Sequence, residues 1–521
     1  MRLSRLASPA VLCLAAACAS GAPSTPSAAP AAATSGLSVA ELRRDLTVFA
    51  SDSFGGRETG TPYADKAARW IAARLQEIGV EPGGDSGYFA RVPMHRTVVT
   101  PGPIQVSSAG GTTTLSLGRD FAFLTSLGPG APLPRNTVDA EVVFAGYGLV
   151  DPKLQRDDYA GLQVAGKVVV IAGAVPPGLD AEQTKALANP QSLFNRLGLA
   201  IGRQPAAVVL LLPDSTFHQA ASQFAGTQIA LDKGTPLAAD GPRPLPMVAV
   251  GRLGSVLMPA GWPASRGALA SGTRLKASYS ETASRFNGYN VVGIVRGSDP
   301  ALRATYVAFG AHYDHIGISA PVNGDSINNG ADDDGSGSVT LLGIARAWLQ
   351  GPRPKRSALF VWHVGEEKGL FGSEAFTDKP TVPLDSIVAQ LNADMIGRNG
   401  TDSLYLVGPG AAPNGQSAVL GTVVDSVNAA LPQPFTFNRE WDTTTHPERI
   451  YYRSDHFNYA RKGIPIVFFT SGLHDQYHQV TDEAALINYE KLARVGDLML
   501  RTGIALGNRA TRAKPGAGVS E

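Results

Sequence analysis

The sequence predicts an α/β protein: a mixed, largely parallel sheet flanked by helices, with a β-rich module inserted into it. Two observations carry this. From about residue 285, apolar runs of strand length at Tyr306–Gly310, Ala358–Trp362, Val388–Ala393 and Ile464–Phe469 alternate with loops and with a helical pattern over Ser338–Leu349. Strands so uniformly apolar are buried on both faces, which calls for helices on either side and mainly parallel pairing. Between about 130 and 255 the texture changes to short runs (Ala140–Phe144, Lys167–Ile171, Ala207–Leu212) separated by Gly/Pro turns, with no cluster of His, Asp and Glu.

Taken from the N-terminus, Met1–Arg5 is a short basic region and Ala10–Ala17 an apolar stretch ending in small residues, the pattern of an export signal over 1–18. Leu14-Ala15-Ala16-Ala17-Cys18 resembles a bacterial lipobox, so a lipid anchor at Cys18 and a periplasmic or cell-surface location are expected, with simple secretion as the alternative. Both cysteines, Cys13 and Cys18, fall in this segment, leaving the folded part without disulfides or thiolate metal ligands. Residues 19–36 are Ala/Pro/Ser-rich, as a tether is. Over Tyr63–Gly79, Ala67, Trp70, Ile71, Leu75 and Ile78 recur at helical spacing, with Gly79 where a C-terminal cap belongs. The expected division is 37–129 as the first part of the main domain, 130–255 as the insert, 256–508 as the chemistry-bearing part and 509–521 as a tail. A chain of 521 residues exceeds one ordinary core. Its 17% charged residues and net charge of +1 argue against nucleic acid or an acidic membrane surface as partner.

Five motifs follow the strand-like runs. His312-Tyr313-Asp314 suits a metal ligand whose ring is oriented by a nearby carboxylate, though alone it equally suits a structural histidine. Asp332-Asp333-Asp334 repel one another unless cations neutralise them; a solvated turn or a helix N-terminus also accommodates acids, whereas an EF-hand fails because Gly343 stands where its bidentate Glu belongs. Glu366-Glu367, between a buried run and a Gly-rich turn, can divide labour, one binding metal while its neighbour handles protons, although a surface acidic pair is a common alternative. Asp394 is isolated in the apolar run Leu391–Ile396, where a carboxylate needs a cation. His474 and His478 have helical i, i+4 spacing, but Thr470-Ser471-Gly472 before them indicates a loop. Together these supply nitrogen and oxygen ligands without sulfur, which fits Zn²⁺ in an open site; two zincs about 3.5–4 Å apart would need a bridging carboxylate.

The order and local sequence of these motifs resemble the secreted di-zinc aminopeptidases, the family of aminopeptidase Y and the glutamate carboxypeptidase II catalytic domain, with a zinc-peptidase phosphorylase/hydrolase-like fold. The resemblance implies two Zn²⁺ per chain. It makes His312 and Asp394 ligands of one zinc, Glu367 and His478 ligands of the other, and Asp333 the bridge, with a cis peptide at Asp333–Asp334. It makes Glu366 the general base that deprotonates a zinc-bridging water, Asp314 the partner of His312, and Tyr477 a holder of the oxyanion. Peptides with a free N-terminus are the implied substrates. Gly146-Tyr147-Gly148, Asp158–Leu162 and Gly166–Val170 are similar to the opening of the protease-associated (PA) domain inserted in many of these enzymes. The alternatives are a glutamate carboxypeptidase-like or dipeptidase-type di-zinc peptidase, a single-zinc glutaminyl cyclase, and a metal-free receptor-like protein on the same fold. The stretch between Asp394 and His478 is short for the dimerisation domain that dipeptidases insert there.

Overall fold

The computed structural model describes residues 36–123, 137–213, 217, 227–234, 245–249, 251, 256–258, 262, 267–269, 272–410 and 417–512. The expected leader 1–18 with Cys18, the tether up to Ser35 and the tail from residue 513 lie outside them.

Helix α1 (Val39–Phe49) starts at Ser38, whose hydroxyl accepts the Glu41 N–H. Helix α2 (Pro62–Ile78) has Pro in its first turn and ends on Gly79 at φ 88°, a conformation cheap only for glycine. The strands that position the site follow in chain order: β1 (Phe89–Pro101), β2 (Thr137–Phe144), β3 (Val168–Ala172), β4 (Ala207–Leu211), β5 (Leu245–Ala249), β6 (Arg274–Val295), β7 (Tyr306–His312), β8 (Ser357–His363), β9 (Ile387–Ala393), β10 (Ser403–Val407) and β11 (Ile466–Thr470). Four further helices matter here: α3 (Gly337–Gln350), α4 (Phe371–Asp378), α5 (His456–Arg461) and α6 (Tyr489–Asn508).

The main sheet runs β1–β6–β8–β7–β9–β11–β10. Its centre, β8, β7, β9 and β11, is parallel, with β1, β6 and β10 added antiparallel at the two sides. Every residue of β7, β8 and β9 is buried. Val307, Phe309 and Ala311 face a core with Leu46, Ile71, Leu341, Trp348 and Leu498 of α1, α2, α3 and α6. Tyr306 and Ala308 face the opposite core, with Phe376 of α4 and Tyr459 of α5. Each fully buried large apolar side chain contributes ~1.5–3 kcal/mol, which is why these runs are mainly apolar; the buried Gln390 and Asn392 of β9 bond to each other at 2.9 Å.

A second sheet orders β2–β3–β4–β5 in parallel, with Phe121–Phe123 and Gly267–Ala268 antiparallel at its margins. Val168 and Val170 pack on one face, Val169 and Ile171 on the other. Helices Ala181–Ala188 and Pro190–Ile201 lie between β3 and β4, so helices alternate with strands here, and Leu197 and Ala200 cover the second face. Strand β6 serves both sheets. Arg274–Ser278 pair with β2, Tyr279–Val291 with β1, and Val291–Val295 with β8.

Candidate metal centre

The carboxyl ends of the parallel strands converge on one acidic cluster, where an open α/β sheet gathers its functional loops. His312 is the last residue of β7, Glu366 and Glu367 follow β8 within a few residues, Asp394 follows β9, and the loop after β11 brings His478. Asp333 comes from the turn entering α3, with a cis peptide bond between Asp333 and Asp334.

Asp333 stands between the two histidines. Its Oδ1 lies 3.2 Å from His312 Nε2 and its Oδ2 lies 3.1 Å from His478 Nε2. Asp394 Oδ1 lies 3.6 Å from His312 Nε2, and Glu367 Oε2 lies 3.1 Å from His478 Nε2. Glu366 Oε2 sits 3.8 Å from His312 Nε2. The geometry thus divides into a His312–Asp394 half and a Glu367–His478 half with Asp333 common to both. Asp334 and His315 crowd the two halves as well. Asp334, however, is committed to the backbone, accepting from the N–H groups of His312 at 3.1 Å and Gly337 at 2.8 Å. Among the described residues, His312 Nε2, His478 Nε2 and Asp394 Oδ1 are buried without a hydrogen-bond partner. Nitrogen and oxygen donors gathered without sulfur are the chemistry of a zinc site, so the residues fit the metal.

The electrostatics agree. Burial opposes charge on His312, but Glu366 and Asp394 beside it raise its pKa well above the usual histidine range. His478 is pushed to about 10 because Glu367 and Asp333 outweigh its burial. Burial would raise Asp333, yet His312 and His478 hold it well below the usual carboxylate range. Glu366 goes the other way: burial first, then Glu367, Asp394 and Asp455, push it well above that range. Glu367 is instead held low, at about 2, because His478 and His315 outweigh burial and Asp333, so the adjacent glutamates sit in opposite protonation environments.

Residue 314 orients the His312 ring through its main chain: Nδ1 is 3.0 Å from the Asp314 carbonyl and 3.8 Å from its carboxylate. The carboxylate instead accepts from the Glu366 N–H at 3.2 Å and the Thr59 hydroxyl at 2.8 Å. Burial pushes Asp314 up to about 6. Tyr477 stacks on the His478 ring, centroids 3.9 Å apart. Tyr477 lines a cavity with Asp333, Glu366 and Asp394, whose other walls include Met395, Trp441, Ile450, Phe468 and Leu473. Met395 and His478 both have φ 56°, a backbone region that non-glycine residues occupy where their surroundings hold them.

His474 does not join His478; it faces Asp332 at 3.4 Å in a loop of turns. Three contributors were not singled out from sequence. Ser454 donates to Asp394 Oδ2 at 2.7 Å. Asp482 accepts the N–H groups of Asp332 and Asp333. His315 bonds Glu367 Oε1 at 2.7 Å, and its place two residues after His312-Tyr313 was the one available signal.

Residues 290–503 match the model of Peptidase family M28, a span that holds all of these candidate ligands. Leucine aminopeptidase 1 of Arthroderma otae is 31% identical over 216 residues, covering 39% of this chain and 54% of that protein. Leucine aminopeptidase 1 of Trichophyton rubrum is 28% identical over 244 residues, 44% of this chain and 61% of that one. The chain thus spans about half the length of the curated relatives it matches. Among solved structures, an aminopeptidase from an Aneurinibacillus species superposes with TM-score 0.57 at 18% identity, over 94% of this chain and 97% of that one. A zinc aminopeptidase from Bacillus subtilis gives TM-score 0.53 at 18% identity, over 89% and 94%. These likenesses share the fold described above.

Proposed function

We propose that the protein, whose residues 290–503 match the model of Peptidase family M28, is a zinc-dependent aminopeptidase that removes N-terminal residues from peptides. The observation that carries this is Asp333, shared between His312 and His478 with a further acid completing each half and Glu366 alongside. His312 and Asp394 would hold one zinc, Glu367 and His478 the second, and Asp333 both. Two zinc ions bound there supply Lewis acidity toward water and a scissile carbonyl.

The chain's own groups do the rest. Glu366, raised in pKa by burial and its acidic neighbours, takes the proton of the attacking water on its carboxylate and returns it to the leaving amine. The Tyr477 hydroxyl, at the cavity wall, donates to the oxyanion as it develops. Asp394 and Glu366 give the free α-amine of the substrate an anionic seat. Met395, Trp441, Ile450, Phe468 and Leu473 form walls that suit an apolar N-terminal side chain. A second reading, a carboxypeptidase or dipeptidase, is favoured by Arg453, whose half-exposed guanidinium lines the same cavity and is a partner for a substrate carboxylate. Export through residues 1–18, lipid attachment at Cys18 and a PA-like role for 130–255 belong to the same proposal.

The test is hydrolysis of aminoacyl-p-nitroanilides, free and N-acetylated, with and without a zinc chelator. Chelator-sensitive cleavage of the free-amine substrates alone is expected, apolar residues fastest. Cleavage of only acidic dipeptides by the zinc-loaded protein would move the assignment to the second reading.

A further inference from the structure

A segment far from the motifs, and outside the 290–503 span, reaches into the back of the centre. Gly55, Gly56 and Arg57 have φ of 50°, 67° and 52° in succession. A Cβ on Gly56 would come within 2.5 Å of the Asn328 carbonyl and 2.6 Å of the Gly317 carbonyl, so only glycine permits this approach. The turn delivers the Arg57 side chain into the interior with no exposure at all. Its Nε donates to the Tyr313 carbonyl at 2.8 Å, Nη1 to the Asn329 carbonyl at 2.6 Å and the Phe49 carbonyl at 3.2 Å, and Nη2 to the Gly330 carbonyl at 2.8 Å. One planar fork therefore ties the residue after His312 to the turn that presents Asp333. Burial lowers the Arg57 pKa to about 10, and the surrounding Asp482, Asp333, Asp334 and Asp314 work to keep it charged. Two residues on, Thr59 donates to the Asp314 carboxylate at 2.8 Å, whose other oxygen accepts the Glu366 N–H. Glu58 pairs with Lys368, next to Glu367, at 2.8 Å.

We propose that the segment Gly55–Thr59 is the positioning element of the centre: Arg57 fixes the His312 and Asp333 loops against each other, and Thr59 fixes Asp314 and through it the Glu366 loop. This rests on the two-zinc reading of the site. A non-glycine residue in left-handed conformation, a buried guanidinium spent on loop carbonyls, and a buried hydroxyl on a carboxylate beside His312 are three separate features with one common effect. Groups that orient ligands from behind typically control metal affinity by 10–100-fold.

The test is zinc binding by chelator competition on full-length Thr59→Val, Thr59→Ser, Arg57→Lys and the parent, together with the absorption spectrum of the cobalt(II)-substituted forms and urea unfolding of the metal-free forms. Thr59→Val, nearly isosteric, is expected to bind zinc ~10-fold more weakly with an unchanged metal-free unfolding midpoint and an altered cobalt spectrum, and Thr59→Ser to restore both. Arg57→Lys, which keeps the charge and loses the fork, is expected to weaken zinc by ~10-fold or more. A parent that binds two zincs, with Thr59→Val and Arg57→Lys within two-fold of it, overturns the positioning element alone. Weakening in Thr59→Val that Thr59→Ser does not reverse overturns it as well. A parent that binds no zinc overturns the two-zinc reading and this inference together.

Discussion

His315 Nδ1 and Glu367 Oε1 lie 2.7 Å apart, both side chains almost fully buried. Glu367 is held at about 2, because His478 and His315 outweigh burial and the nearby Asp333. A carboxylate only accepts, so Nδ1 of His315 carries the proton and the ring donates. The other oxygen, Oε2, is thereby left facing His478. Replacing His315 with Leu removes that donor and should weaken zinc binding by roughly 10–100-fold, while His315→Asn, with an amide donor near the Nδ1 position, should recover much of it. Equilibrium dialysis against zinc measures both.

In the proposed mechanism Glu366 and Tyr477 act on the reacting groups without serving as ligands, so their variants should separate chemistry from metal content. Glu366→Gln should keep two zincs and lose roughly 10²–10⁴ in kcat. Tyr477→Phe should lose about 10² in kcat with little change in KM, the cost of one oxyanion donor. Metal analysis beside steady-state kinetics distinguishes these from simple loss of zinc, and full activity in zinc-bearing Glu366→Gln would remove it as the base.

His456 gives a pH dependence away from the ligands. Fully buried and stacked on Phe468 at 4.6 Å, its ring is lowered from 6.5 to about 3, chiefly by burial, with the Tyr451 backbone and Asp455 opposing. Above pH 6.5 the ring is neutral folded and unfolded. As pH falls, the unfolded chain binds a proton that the folded ring refuses, so stability is lost between about 6.5 and 3 at up to ~1.4 kcal/mol per pH unit. His456→Phe should flatten the pH profile of urea midpoints across that window relative to the parent.

Gly503 marks where α6 presses on the sheet. A Cβ there would collide with the Phe309 ring and come within 3.0 Å of the Trp348 ring. Gly503→Ala should destabilise by ~1–3 kcal/mol despite its gain in helix propensity, read as a lower urea midpoint with zinc stoichiometry unchanged.

Legibility from sequence tracked locality. The runs at Tyr306–Gly310 and Ala358–Trp362 announced strands because a strand buried on both faces must be apolar along its length, and the structure extends each by only a residue or two. The acids after them were visible because a carboxylate beside such a run demands a cation. Gly79 closed α2 for a reason contained in three neighbouring residues. Arg57 was not legible: its partners Tyr313, Asn329 and Gly330 are more than 250 positions away, and nothing periodic marks a guanidinium that will bond carbonyls. Ser454 reads as an ordinary loop serine until β9 sets Asp394 against it. The helices between β3 and β4 were missed because Gly/Pro punctuation around Val168–Ile171 dominated the local signal.

The sharing of β6 between two sheets bears on how the protein can be cut. A fragment trimmed to 290–503 would keep every candidate ligand and sever β6 after its sixteenth residue. The stub would remain on β8 through Val291–Val295, with its far side, now paired with Phe89 and Ala90 and with Glu81–Pro82, left as bare backbone. Removing α1 and α2 would also uncover the apolar face packed around Leu46 and Ile71. An open strand rim beside exposed apolar surface invites edge-to-edge association; such a fragment should be recovered as aggregate, whereas a chain from Leu37 onward keeps β6, α1 and α2 whole.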